Sequence, residues 1–69
     1  MTVLKIDDIS AAGLCHHGAR KVAMNLGIDW WDFLQNGIDI ERIKHIDDVN
    51  VQNAIKMAIT REKENLNGQ

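Results

Sequence analysis

Residues 27–39 read GIDWWDFLQNGID and contain both a start signal and a stop signal for a helix. Asp29 is a favoured N-cap residue, because its carboxylate can accept hydrogen bonds from the unpaired N–H groups of a first helical turn. Ile28, just before it, is spaced to pack on Phe33 as a hydrophobic staple. Gly37 stands where a left-handed residue ends a helix. The stretch therefore predicts a helix over residues 30–36.

The same start signal recurs along the chain. The dipeptide Ile-Asp occurs at residues 6–7, 28–29, 38–39 and 46–47, and the sequence contains no proline. Together with the glycines, these dipeptides predict helices over residues 8–13, 15–26, 30–36, 40–45 and 48–65. The predicted fold is all-α, a compact bundle of four to five short helices that forms a single domain over residues 1–69.

The two ends of the chain give weaker signals. Residues 2–6 could be extended, but a lone strand has no evident partner, so we predict no sheet. Residues 61–69 contain one apolar residue and are predicted to fray.

The last predicted helix has an apolar seam at three- and four-residue spacing, formed by Val51, Ala54, Ile55, Ala58 and Ile59. The residues on which this seam is predicted to pack are Val22, Leu26, Phe33, Leu34 and Ile43.

Composition narrows the functional classes. The 69 residues are 45% hydrophobic and carry a formal net charge of −2, which describes a small folded domain without a polycationic surface for nucleic acid. No apolar run exceeds three residues, and the N-terminus lacks a signal-peptide layout, so we expect no membrane span and a cytoplasmic location. One cysteine excludes an internal disulfide. We expect neither enzymatic activity nor a cofactor in so small a chain.

Cys15, His16 and His17, with His45 at a distance, could be read as metal ligands. However, three consecutive helical residues point about 100° apart and cannot converge on one ion. We therefore predict no metal site and no catalytic residues, with Cys15 buried. The paired carboxylates Asp7-Asp8 and Asp47-Asp48 lie at predicted helix starts, where capping explains them.

Residues 22–37 have the spacing of a helix-turn-helix, with a small residue at Ala23 and a turn glycine at Gly27. The second helix of this motif would carry Asp29 and Asp32 but no Lys or Arg, so DNA phosphates would repel it. We expect no nucleic-acid partner. A gel shift that weakens steeply with salt would reinstate a DNA-binding regulator as an alternative, and no shift at low salt would remove it.

Trp30 and Trp31 account for two of the three aromatic residues in the chain. On a helix over residues 30–36, Trp30 shares a face with Phe33 and is predicted to lie in the core. Trp31 lies about 100° away, where it either covers the domain edge or anchors a partner, since tryptophan is enriched at binding hot spots. The predicted partner-binding residues are Trp31, Asp32, Gln35, Arg20 and His17.

Residues 12–46 resemble a group of short proteins encoded by tailed phages and prophages. The shared pattern is Cys15, then Gly18-Ala19-Arg20, then residues 27–38 with Asp29-Trp30, Phe33-Leu34 and Gly37-Ile38. This chain differs from that group at residues 22–23, which are Val-Ala here and a Trp-Phe pair in the group. It implies a viral origin and a non-enzymatic role. Residues 33–39 are also similar to the middle of sterile alpha motif domains, which are five-helix interaction modules.

These observations predict a non-catalytic protein–protein interaction module that binds a host or defence protein, as a small inhibitor of the anti-CRISPR kind does. The alternatives are a virion assembly factor and the helix-turn-helix regulator. The expected partner is a host or phage protein, and a homodimer is left open.

Overall fold

The computed structural model describes the backbone of residues 2–67 and the side-chain surroundings of residues 2–64. About two thirds of the described chain is helical, in four α-helices with a small two-stranded sheet. In chain order the elements are β1 (Val3–Leu4), α1 (Ile6–Ala11), α2 (His16–Asn25), α3 (Trp30–Asn36), β2 (Ile38–Asp39), a 3₁₀ turn (Ile40–Arg42) and α4 (Val49–Asn67). No helix in this part of the chain is long and apolar enough to cross a membrane.

The sheet corrects the all-α prediction. β1 pairs antiparallel with β2, with Val3 opposite Asp39 and Leu4 opposite Ile38. The missing partner for the N-terminal strand is therefore the segment that directly follows α3. Gly37 permits this approach: its φ is +73°, and a Cβ there would lie 2.5 Å from Val3 Cγ1. The glycine that ends α3 thus also makes room for the N-terminal strand.

Aspartates cap three of the helical starts, and two of them, Asp29 and Asp39, are the residues that the Ile-Asp pattern predicts. Asp29 accepts from the N–H of Trp31 at 3.0 Å, and Asp39 accepts from the N–H of Glu41 at 3.0 Å. At the start of α4 the cap is Asp48, one residue later than the Ile-Asp pattern predicts. The sequence therefore placed these starts to within about a residue.

The first Ile-Asp pair behaves differently. α1 begins at Ile6, two residues before the predicted start, and the Asp8 carboxylate reaches back to accept from the N–H of Lys5 at 2.8 Å. Asp8 is only 2% exposed, so it is the buried charge of the fold rather than a surface cap.

Arg61 neutralises that charge from the far end of the chain. Its Nε donates to Asp8 Oδ1 at 2.9 Å, and its Nη2 donates to Asp8 Oδ2 at 3.1 Å and to the Val3 carbonyl oxygen at 2.8 Å. The hydrogen bond to Asp8 raises the pKa of Arg61 above its usual value. α4 extends through Asn67, two residues past the predicted helix end at residue 65, while residues 68–69 lie outside the described residues.

The apolar core gathers around the predicted seam of α4. Ala54, Ile55 and Ala58 are buried, and Val51 and Ile59 pack against them half-buried. The buried residues of the core are Leu4, Ile9, Phe33, Ile38, Ile43, Ala54, Ile55 and Ala58.

The predicted partners of the seam are only partly correct. Phe33 and Ile43 are in the core, but Leu26 and Leu34 are exposed. Val22 is half-buried and lies outside the core cluster. The reason is that α4 packs mainly against α1 and β1, whereas α2 lies against α1 and α3.

Replacing Arg61 with Met should destabilise the fold strongly, because Asp8 would remain buried with one backbone partner. Removing one partner of a buried ion pair typically costs 3–5 kcal/mol, and since Arg61 is a third exposed we expect a loss of about 3 kcal/mol. The measurement is urea denaturation followed by circular dichroism.

The control is Lys44→Met, which removes the surface ion pair of Lys44 with Glu41 at 2.6 Å. Both of its partners are well exposed, so we expect little change. Equal losses for the two variants would show that the buried pair does not hold the fold.

Candidate interaction surface

The five predicted partner-binding residues all lie on the exposed sides of two neighbouring helices. Trp31, Asp32 and Gln35 belong to α3, and His17 and Arg20 belong to α2. Each of the five side chains is exposed to solvent. The structure therefore makes all of them accessible, on helices that contact one another.

Trp31 is held outward by the local structure of α3. The Asp29 cap fixes the first turn, and Trp30 packs inward with its ring centroid 5.4 Å from that of Phe33. The next residue then points away from the core, and Trp31 is 69% exposed. Trp31 could have covered the domain edge or stood exposed, and the structure shows the exposed arrangement.

The neighbours of Trp31 on α3 are one apolar and two polar side chains. Leu34, three residues on, is 38% exposed, and Gln35, four residues on, is also exposed. Asp32 accepts a hydrogen bond from Asn36 Nδ2 at 2.8 Å, which leaves its second carboxylate oxygen for another donor. Because tryptophan is enriched at binding hot spots, the exposed indole makes α3 a candidate binding helix.

The outer side of α2 carries a row of side chains that differ from those of α3. His17, Arg20 and Met24 recur at helical spacing, and Met24 is 66% exposed. Arg20 and Lys21 make α2 basic, and its sequence contains no acidic residue. α3, by contrast, has Asp32 and the cap Asp29 but no basic residue. Of the two helices that carry the predicted binding residues, α2 is thus basic and α3 is acidic.

Cys15 is exposed, which corrects the expectation that it is buried. It is the N-cap residue of α2, and its position beside the backbone N–H groups of Gly18, and then of His17, lowers the pKa of the Cys15 thiol. His16 turns away from it, with Nε2 at 2.7 Å from Ser10 Oγ. In the part of the chain that is described, no three His, Cys, Asp or Glu side chains are grouped as for a metal ion.

An apolar groove of about 430 Å³, which the sequence analysis did not predict, runs beneath α2. Its α2 wall carries small side chains, Gly18, Ala19 and Ala23, with Val22 and Leu26 beside them. The opposite side is formed by core residues of α3 and by the start of α4. The sequence predicted that Val22 and Leu26 pack on the seam of α4. In the structure both lie outside the core cluster and line the groove instead.

Comparisons with family models, curated proteins and solved structures found no match to this chain. The resemblance to short phage proteins therefore stays a prediction that rests on residues 12–46.

The thiol of Cys15 should react at lower pH in the folded protein than in the unfolded chain, because the N–H groups of α2 stabilise its thiolate. We expect the rate of alkylation by iodoacetamide, measured over a pH series, to rise at lower pH for native protein than for protein in urea. Coincident pH profiles would show that the start of α2 does not stabilise the thiolate.

Proposed function

We propose that this chain is a non-catalytic protein–protein interaction module that binds its partner through the outer sides of α3 and α2. The observation that carries the proposal is the 69% exposure of Trp31 on a short, capped helix. Tryptophan gives large contact area with little loss of side-chain entropy, and its truncation at an interface often costs 2 kcal/mol or more.

The surroundings of Trp31 support a protein partner. Exposed apolar side chains accompany it on both helices, namely Leu34 on α3 and Met24 on α2. Polar groups able to form hydrogen bonds or ion pairs lie beside them, at Gln35, Asp32 and Arg20. An apolar centre with a polar rim is the usual composition of a specific interface.

The charge of α3 supports a protein rather than a nucleic acid. A helix that entered a DNA groove would bring its side chains against phosphates. Asp29 and Asp32 would be repelled there, and α3 offers no Lys or Arg to offset them.

For the partner we propose a host or defence protein, bound in the cytoplasm of a bacterial host in the manner of a small inhibitor. Support comes from the resemblance of residues 12–46 to proteins encoded by tailed phages. A virion component as partner would instead make the chain an assembly factor, and the same experiment separates the two.

Trp31→Ala should abolish partner capture while the fold persists. Tagged wild-type and variant proteins are incubated with nuclease-treated lysates of uninfected and phage-infected bacteria, and bound proteins are quantified by mass spectrometry. We expect one near-stoichiometric protein to be retained by the wild type and reduced at least tenfold with Trp31→Ala. Its presence in uninfected lysate identifies a host target, and its restriction to infected lysate identifies a phage protein.

Val49→Ala is the matched control, because Val49 is 75% exposed but lies at the start of α4 rather than on α3 or α2. It should retain the partner. Trp31→Ala should also change the free energy of unfolding by less than about 0.5 kcal/mol, as surface substitutions do. Equal capture by Trp31→Ala and wild type, or no protein whose capture depends on Trp31, would contradict the proposal.

A further inference from the structure

We propose that the groove beneath α2 binds a small apolar carboxylate, with its hydrocarbon part among the core side chains and its carboxylate at Lys21. This inference is independent of the proposed interaction surface, because Trp31 does not line the groove.

The size and lining of the groove fit a small molecule. Its volume of about 430 Å³ falls within the 300–1,000 Å³ of typical ligand sites, and it lies between helices, where such sites are common. Its floor is formed by core residues such as Phe33 and Ile43, and Trp30 lines it too. Phe33 and Ile43 are already buried, so binding would instead remove from water the apolar surface that half-buried Trp30 and Val22 and exposed Leu26 leave at the groove.

The charge of the lining indicates an anionic head group. Among the described residues that line the groove, Lys21 is the one with a basic side chain, Cys15 adds a thiol whose pKa is lowered, and Asn50 adds an amide that can donate hydrogen bonds. Lys21 forms no ion pair with another described residue. An ammonium beside an apolar groove attracts a carboxylate that carries a hydrocarbon chain.

The acidic residues next to the lining, as far as the chain is described, form no ion pair with Lys21. Asp29, beside Trp30, accepts from N–H groups at the start of α3, and Asp48, before Asn50, accepts from N–H groups at the start of α4. Both carboxylates are thus engaged by backbone donors. α2 itself has no acidic residue.

A second copy of the chain fits the groove less well. If two copies packed α2 against α2 about a twofold axis, Arg20 and Lys21 of each would face those of the other. The like charges would oppose that arrangement.

Decanoate below its micellar concentration is the test ligand, and decanol is its neutral counterpart. Trp31→Phe leaves Trp30, which lines the groove, as the remaining tryptophan, so its fluorescence reports on the groove alone. We expect a saturable change in Trp30 emission with one decanoate per chain, and binding of decanol about tenfold weaker. Decanoate should also raise the melting temperature, because it binds the folded state.

Two variants in the Trp31→Phe background locate the ligand. Gly18→Leu fills the groove: a Cβ at Gly18 meets no atom within 4 Å, and leucine favours the helix more than glycine does, so the fold should persist. It should weaken decanoate binding at least tenfold. Lys21→Met should weaken decanoate about tenfold and leave decanol unchanged.

The matched controls are Asn53→Leu and Lys56→Met, which make the same kinds of change at exposed positions of α4 that do not line the groove. Both should bind decanoate within twofold of the parent protein. No saturable response of Trp30, or undiminished binding by Gly18→Leu, would overturn the proposal. Equal affinity for decanoate and decanol would overturn the role of Lys21.

Other occupants give distinct results. A dimer in sedimentation velocity that Gly18→Leu dissociates would assign the groove to a second copy. Loss of a captured protein with Gly18→Leu, without decanoate binding, would assign it to a partner segment. Either result overturns the carboxylate site, whereas the interaction surface is decided separately by Trp31→Ala.

Discussion

The fold depends on one ion pair that joins its two ends. Asp8 is nearly fully buried, and Arg61 reaches it with two donors while also donating to the carbonyl of Val3. A single guanidinium thereby holds α1, β1 and α4 together. Since a buried carboxylate without its partner is strongly unfavourable, we expect this pair to disfavour other placements of α4 over α1. β1 pairs with β2, and Gly37, between α3 and β2, joins α3 to this frame.

The elements of this fold that sequence predicts well are those determined by local chemistry. The caps at Asp29 and Asp39 and the stop at Gly37 follow from hydrogen bonds and backbone angles within a few residues. The sheet and the Asp8–Arg61 pair follow from contacts across most of the chain, which no local pattern reveals. Arg61 in particular lies in a charged stretch that looks like a solvated tail until its partner 53 residues away is known.

In the candidate site, too, one feature follows from local chemistry and another does not. The sequence placed Trp31 about 100° from the core-facing Trp30 but left open whether it covers the domain edge, and the structure shows it 69% exposed. The groove could not be foreseen, because it depends on the distance between α2 and the core. A run of small residues on α2, Gly18, Ala19 and Ala23, is the one local sign of it. Such residues are equally compatible with close helix packing.

We infer that α1, the sheet and α4 form a firmly held frame against which α2 packs only lightly. Amide hydrogen exchange of the native protein tests it most directly, because Ala23 is the buried residue of α2 whereas α4 buries Ala54, Ile55 and Ala58. We expect amides of residues 54–58 to exchange only on global unfolding. Those of residues 20–25 should exchange through local opening at a lower free energy. Equal protection of the two helices would contradict it.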